Sequence, residues 1–121
     1  MQRVPKVLVE NQQLPNAYPA ATTAAAQYAP AANTYGTISS ATLNNTTATP
    51  QTVSVSIVPA GGAQAAANEV VTTMSVPAAG SAPTTVPALV GQTLAPGEML
   101  LIKASLAASI TVRISGYETT L

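Results

Sequence analysis

The chain has 121 residues with four basic and four acidic side chains, so its formal net charge at pH 7 is zero. This balance excludes an extended basic surface of the kind that binds nucleic acid or anionic membranes. No apolar stretch approaches the roughly 20 residues that a membrane-spanning helix needs. We therefore expect neither nucleic acid nor a membrane among the partners of this protein.

Residue types that usually carry chemistry are scarce. Histidine, cysteine and aspartate are absent, and the four acids are the widely separated Glu10, Glu69, Glu98 and Glu118. Acid–base catalysis, nucleophilic triads and zinc or calcium sites need such groups in close combination. The sequence predicts a protein that is not an enzyme and that has no cofactor and no metal site.

Alanine makes up much of the apolar fraction, which is 47% of the chain. Because an alanine side chain buries little area, it contributes little transfer free energy on folding. A chain with so few large side chains gains stability by binding neighbours. We therefore expect a component of an assembly.

The N-terminal region, residues 1–24, contains several charges and prolines and shows no clear periodicity. It is predicted to be an extended arm that orders on a neighbouring subunit, with a disordered terminus as the alternative. Within it, Val7–Glu10 (VLVE) is predicted to be a short strand that adds to a neighbour's sheet. The arm residues predicted to bind a partner are Arg3, Lys6, Val7, Leu8, Val9 and Tyr18.

Residues 25–121 consist of short β-prone runs between turn formers, a pattern typical of an all-β, antiparallel β-sandwich. Turn residues separate the runs, for example PAGG at 59–62 and PAAGSAP at 77–83. The predicted strands are Ala26–Ala29, Tyr35–Asn44, Thr52–Val58, Glu69–Val76, Thr84–Leu89, Glu98–Ala104 and Ser109–Glu118.

Thr52–Val58 alternates between apolar and hydroxyl side chains, which predicts one buried and one open face. Val53, Val55 and Ile57 form the inward set. The hydroxyl face is predicted to contact either solvent or another subunit.

Ser109–Glu118 alternates in the same way, with Ile110, Val112 and Ile114 directed inward. Arg113 and Tyr117 then lie on the opposite, outward face. Tyrosine is enriched at protein interfaces, whereas Arg113 has the alternative of a minor surface ion pair with Glu98, Glu118 or Glu69. These two residues are the predicted partner-binding residues of the sheet face.

Other strands depart from strict alternation. Met99–Ile102 and Val70–Val71 are apolar on both sides, which predicts strands that are covered on both faces. Ile38 and Leu43 have opposite parity within one strand, which predicts a β-bulge near Ser39–Ser40.

The run ISSATLNNTTATPQTVSVSIVPAGGAQAAANEVVTTMSV, followed by VPALVGQTLAPGEMLLIKASLAASITVRISGYE, resembles a family of small tailed-bacteriophage virion proteins. The shared pattern joins a strand, NNT, an alternating strand and VP-GG to L-GQ-L-PG and a closing A-ITVR-SG-E strand. It covers about residues 26–119 and leaves the arm outside. The resemblance implies a jelly-roll or related β-sandwich, a structural role in the particle, and no catalytic residues.

We therefore predict a capsid cement or decoration protein on the virion surface. It would bridge neighbouring major capsid proteins through its N-terminal arm and sheet edges, as a homo-oligomer (a dimer or trimer), with Arg3 and Lys6 paired to shell carboxylates. One alternative is an accessory protein of the neck, collar or tail. Another, from a different class, is a receptor- or glycan-binding module of a phage fibre.

Overall fold

The computed structural model describes residues 2–80 and 84–121, and these residues form an all-β protein without an α-helix. Two single 3-10 turns lie at Ala66–Asn68 and Pro87–Leu89. In chain order the strands are β1 (Gln2–Gln13), β2 (Thr34–Asn45), β3 (Gln51–Val58), β4 (Glu69–Val76), β5 (Thr84–Thr85), β6 (Thr93–Leu94), β7 (Met99–Ala104) and β8 (Ile110–Thr120).

The strands form two antiparallel sheets whose apolar sides share one core, so the predicted β-sandwich is confirmed. The five-stranded sheet has the order β1-β8-β2-β5, with β6 also paired to β2, and the three-stranded sheet has the order β4-β3-β7. Tyr28 adds an isolated antiparallel bridge to Leu100 of β7. The Tyr28 bridge can be counted as strand 2, and β5 and β6 together as strand 6. The other strands, β1, β2, β3, β4, β7 and β8, are then strands 1, 3, 4, 5, 7 and 8. The two sheets have the orders 1-8-3-6 and 2-7-4-5 in this numbering, which are those of a jelly roll.

The core lies between the two sheets and follows the predicted periodicity in β8 and β2. Ile110, Val112 and Ile114 of β8 are all buried, as their alternation predicts. In β2, the register against β8 shifts between Ile38 and Ser40. This predicted bulge is confirmed, and it allows Ile38 and Leu43 to face the core together.

The central strand β3 has no open face. Val53 and Val55 are buried as predicted, but Ser54 and Ser56 are buried as well. Ser54 Oγ accepts a hydrogen bond from the Thr73 N–H at 3.0 Å, and Ser56 Oγ accepts one from Gln64 Nε2 at 2.7 Å. The chain itself therefore satisfies these hydroxyls.

The edge strand β7 is covered on both faces, as predicted. Two of its side chains face the core between the sheets, and two lie beneath residues 14–33, here called the covering segment. In β4 the prediction holds only for Val71, because Val70 remains 38% exposed. The inward pair of β7 is Leu100 and Ile102, and the outward pair is Met99 and Leu101.

The covering segment also closes the free edge of β7. Gln27 Nε2 donates to the Ile102 carbonyl at 2.8 Å, and Gln27 Oε1 accepts the Ile102 N–H at 3.0 Å. The backbone N–H groups of Leu100 and Ala104 donate to carbonyls of the same segment at 2.8 and 2.9 Å. The side-chain amide of Gln27 thus replaces a neighbouring peptide group.

Some predicted elements differ in extent. Ala26–Ala29 contributes only the Tyr28 bridge, and Thr84–Leu89 becomes the two residues of β5 followed by a 3-10 turn. Pro87 lacks an N–H and cannot continue a strand. The short strand β6 is an addition, and the turn predicted at 77–83 lies partly outside the described residues.

Residues 2–13 differ most from the prediction. Instead of forming an arm for a neighbour, they pair with β8 of the same chain along β1, from Gln2 opposite Thr120 to Gln13 opposite Thr111. Leu8 and Val9 are buried in the shared core. The ladder and this burial stabilise the segment within its own sandwich, so these residues form an edge strand of the five-stranded sheet.

Candidate partner-binding surface

The outer face of the five-stranded sheet is the side opposite the core. Because the even-numbered residues of β8 from Ile110 to Ile114 are buried, the odd-numbered residues project to this face. The covering segment lies on the other sheet, so hydroxyl groups of the outer face are open to solvent. Ser40 and Ser115 share a hydrogen bond of 2.8 Å there. The face includes Arg3, Pro5, Val7, Tyr35, Thr37, Ser40, Thr42, Arg113, Ser115 and Tyr117.

At one end of this face, Arg3 lies on Tyr117. The guanidinium carbon is 3.7 Å from the centroid of the tyrosine ring, which is cation–π geometry. The register of β1 against β8 explains the contact, since Pro5 is opposite Tyr117 and Arg3 is opposite Thr119. One residue predicted from the arm and one predicted from the sheet face are thereby joined in a single surface.

Further along the same face, Arg113 borders a shallow cavity of about 300 Å³. Its Nη1 donates to Asn11 Oδ1 at 3.1 Å. Besides Arg113, the cavity is lined by amide and hydroxyl side chains and one leucine, and none of its lining residues is acidic: Asn11, Thr42, Leu43, Asn44 and Thr111. Most donors of the guanidinium therefore face polar groups or solvent.

Acidic residues lie mostly away from this face. Among the described residues, the only ion pair joins Lys6 Nζ and Glu118 Oε1 at 3.2 Å. Glu69 binds Tyr18 on the other sheet, and Glu98 accepts the Ala95 N–H. Glu10 is exposed in the irregular part of β1 without an ion pair to either arginine, within the chain the structure describes.

Lys6 and Glu118 point to the core side of the sheet. Glu118 Oε2 accepts a hydrogen bond from the Tyr28 hydroxyl at 2.6 Å. Burial raises the pKa of Tyr28 above the ordinary tyrosine value of 10.0, and the bond to Glu118 and its negative charge raise it further. Lys6, predicted to bind a partner, is thus held by a carboxylate of its own chain.

The remaining predicted arm residues are only partly accessible. Leu8 and Val9 are buried in the core, so these side chains hold β1 in place, whereas the half-buried Val7 is opposite Ser115 and lies on the outer face. The structure brings Arg3, Arg113 and Tyr117 together on the outer face. It does not bring Lys6 and Tyr18 to that face.

Tyr18 belongs to a second polar site, on the outside of the three-stranded sheet. Its hydroxyl donates to Glu69 Oε2 at 2.5 Å, and Lys103 Nζ lies 4.8 Å from its ring centroid. Burial, followed by the bond to Glu69, raises the pKa of Tyr18 to about 12. A cavity of about 300 Å³ lies beside them, lined by Asn16, Thr52, Ser54, Glu69, Thr72, Thr73, Lys103, Ala104 and Ser105.

Side chains suited to metal binding do not cluster in the described part of the chain, where no group of three or more acids was found. No helix among residues 2–80 and 84–121 is long and apolar enough to cross a membrane. The surroundings of Arg113 were missed by the sequence analysis. Alternation placed Arg113 outward, but only the register of β1 shows that Asn11 meets it.

Comparison with known proteins gave no relatives. No protein-family model, curated protein or solved structure matches the chain. The fold described above therefore rests on the chain's own strand pairing and core.

Proposed function

We propose that the protein is a structural component of a virus particle, specifically a capsid decoration protein that bridges neighbouring major capsid proteins on the virion surface. The observation that carries this proposal is the uncovered outer face of the five-stranded sheet, where Arg3 stacks on Tyr117 and Arg113 borders a polar cavity. Arginine and tyrosine are the residue types that dominate binding energy at interfaces. This face offers a binding surface without catalytic groups beside it.

The fold supports the same proposal by analogy. Jelly rolls occur in viral capsid proteins and in lectins, and a fold alone does not fix a function. The resemblance to tailed-phage virion proteins that we predict for residues 26–119 would favour the capsid role.

Attachment through this face is favoured over attachment through the edges of β7 and β1. The edge of β7 is already closed by Gln27 and its neighbours. The edge strand β1 carries Arg3, Pro5 and Lys6 and two register irregularities, features that oppose the addition of another strand. The arm proposed from sequence therefore contributes Arg3 to the face while the rest of β1 stays in its own sheet.

Many copies on a lattice would compensate for modest contacts at each site. Linked or repeated contacts raise the effective concentration for each further contact, so overall binding exceeds that of one site. We propose a dimer or trimer as the unit that binds, and light scattering on the purified chain tests this number. A monomer at the concentrations that decorate particles contradicts the oligomer and leaves the outer face as the only source of binding.

Copy number tests the proposal directly. Particles from cultures that express the chain are purified on a density gradient, and the chain is quantified by mass spectrometry against the major capsid protein. We expect hundreds of copies per particle for a shell protein. A copy number of about a dozen or fewer supports a neck, collar or tail accessory instead, and its absence from purified particles overturns the virion proposal.

One observation favours a second candidate, a glycan-binding module of a fibre. The cavity near Tyr18 combines a carboxylate, an ammonium group, an amide and several hydroxyls, which are the groups that hydrogen-bond sugars. Saturable binding on a glycan array that is lost in Glu69→Gln supports this candidate. An array without binding, together with high copy number on particles, supports decoration.

A further inference from the structure

We infer that the outer face of the five-stranded sheet recognises two carboxylates on an extended segment of its protein partner, one at Arg113 and one at Arg3 on Tyr117. This inference rests on the proposed function and specifies the chemistry of the partner. It is carried by the arrangement of the two arginines, by the absence of an ion pair within 4.0 Å for either among the described residues, and by the four-residue separation of Tyr117 and Arg113 along β8.

Arg113 has the surroundings of a carboxylate site. Its guanidinium contacts one neutral acceptor, Asn11 Oδ1, and the adjoining cavity is lined by Thr42, Asn44 and Thr111. Amide and hydroxyl groups donate hydrogen bonds to a carboxylate, and the planar guanidinium binds one in a two-pronged manner. A carboxylate at this position therefore meets both charge and hydrogen-bond donors.

Arg3 is oriented by its contact with an aromatic ring. Its guanidinium carbon lies 3.7 Å from the centroid of the Tyr117 ring, and no ion pair of Arg3 is present in the described residues, so its N–H groups are available to an acceptor. Because part of the side-chain freedom is already restricted, less entropy is lost when an anion binds. Neither Arg3 nor Arg113 has an ion-pair partner within 4.0 Å in the described residues, whereas Lys6 has Glu118.

The spacing of the two positions defines the partner further. Tyr117 and Arg113 are four residues apart on β8, which corresponds to about 13 Å along a strand. Two acidic residues four apart on an extended segment have the same separation and project to the same side. Two acids three apart project to opposite sides and cannot contact both arginines together.

A peptide titration tests this geometry. The isotope-labelled full chain is titrated in an NMR experiment with a blocked threonine peptide that carries two glutamates four residues apart. The titration is run at low salt and at about 0.15 M salt. Peptides with the glutamates three apart, or with glutamines in their place, are the matched ligands. We expect the amide signals of Arg113 and Tyr117 to shift with the first peptide and the binding to weaken as salt rises.

Variants locate the site. We expect Arg113→Gln to weaken binding of the first peptide about tenfold, as the loss of one charge-assisted hydrogen-bonded pair implies, and Arg3→Gln to act similarly. Lys103→Gln, which removes a cation from the other sheet, should leave binding unchanged. Circular dichroism of each variant checks that the sandwich is folded.

Several results overturn the inference: no saturable shift, equal binding of all three peptides, or no effect of Arg113→Gln. Tighter binding of a short DNA duplex at the same residues overturns it as well, because the face then recognises phosphates. The copy number of the chain on particles tests the proposed function independently of these binding results. Undiminished decoration by the Arg3→Gln and Arg113→Gln double variant refutes carboxylate recognition while the decoration role stands.

Discussion

Arg3 and Tyr117 connect the first and last strands of the protein across the outer face of the five-stranded sheet. The guanidinium carbon lies 3.7 Å from the ring centroid. On the core side of the same strand end, Val4 is 45% exposed and Lys6 reaches Glu118. The N-terminal half of β1 is therefore held by this stacking, by one ion pair and by the backbone ladder, with little burial.

We expect Arg3→Gln to lower the free energy of unfolding by about 0.5–1 kcal/mol, the value of an exposed cation–π contact. Urea denaturation of the parent, Arg3→Gln, Tyr117→Ala and the double variant measures the coupling between the two residues. If Arg3→Gln costs the same when Tyr117 has been replaced, the stacking contributes nothing.

The buried half of β1 behaves differently. We expect Leu8→Ala to lower the free energy of unfolding by about 2 kcal/mol or more, because it removes a side chain that is 7% exposed from the shared core. Val4→Ala, on the same strand but 45% exposed, is the matched control and should stay within about 0.5 kcal/mol. An unchanged stability for Leu8→Ala would mean that β1 separates from the sandwich as a free arm.

Sequence reasoning identified the strands whose side chains alternate or run apolar over several residues. β2, β3, β4, β7 and β8 lie within two residues of their predicted bounds. β1 was reduced to VLVE because its first residues mix Pro5 with charges and show no period of two. Its partner β8 is about a hundred residues away, and local pattern contains no information on that pairing.

The outer face was predicted only in part, again because some of its contacts depend on the pairing of β1 with the distant β8. Alternation alone places Arg113 and Tyr117 outward. The contacts of Arg3 with Tyr117 and of Asn11 with Arg113 depend on the β1–β8 register, which includes two irregularities. The opposite parity of Ile38 and Leu43 indicated the bulge in β2, but β1 has no period of two, so its sequence did not reveal its two shifts, each of which changes the face of the residues beyond it.

The closure of β7 by Gln27 gives another prediction. Gln27→Ala removes two hydrogen bonds to Ile102 and leaves its N–H and carbonyl without partners at a strand edge. We expect a loss of about 1–3 kcal/mol in urea denaturation and a greater tendency to associate, since an open edge invites strand pairing. Gln12→Ala, an exposed position in β1, serves as the control. Equal stability of the two variants contradicts the role of Gln27.

Gly116 lies where β8 closely approaches β2. A Cβ atom at this position would overlap the Thr37 carbonyl oxygen, opposite the bulge in β2. In Gly116→Ala the added methyl group forces the backbones of β8 and β2 apart. We therefore expect the free energy of unfolding to fall by about 1–3 kcal/mol. Ser115→Ala, the neighbouring position, loses only the exposed bond to Ser40 and should cost less. A neutral Gly116→Ala would show that the bulge is not fixed as described.

The two tyrosine–glutamate pairs predict how stability depends on pH. The pKa of Tyr18 is raised to about 12 and that of Tyr28 is also raised, in both cases chiefly by burial and then by the bonded glutamate. Above pH 10.0, the ordinary tyrosine pKa, the unfolded chain releases these protons while the folded chain retains them. The stability from both groups is therefore complete below pH 10.0 and is lost as pH rises towards 12 and beyond.

Urea denaturation at a series of pH values measures this loss. We expect the free energy of unfolding to fall steeply above pH 10.0 in the parent, and less steeply in Tyr28→Phe and Tyr18→Phe, because each lacks one ionising hydroxyl. Glu118→Gln retains an acceptor for Tyr28 but removes the negative charge, so its slope should lie between those of the parent and Tyr28→Phe. Identical slopes in all four proteins would mean that these hydroxyls ionise as easily in the folded chain as in the unfolded one.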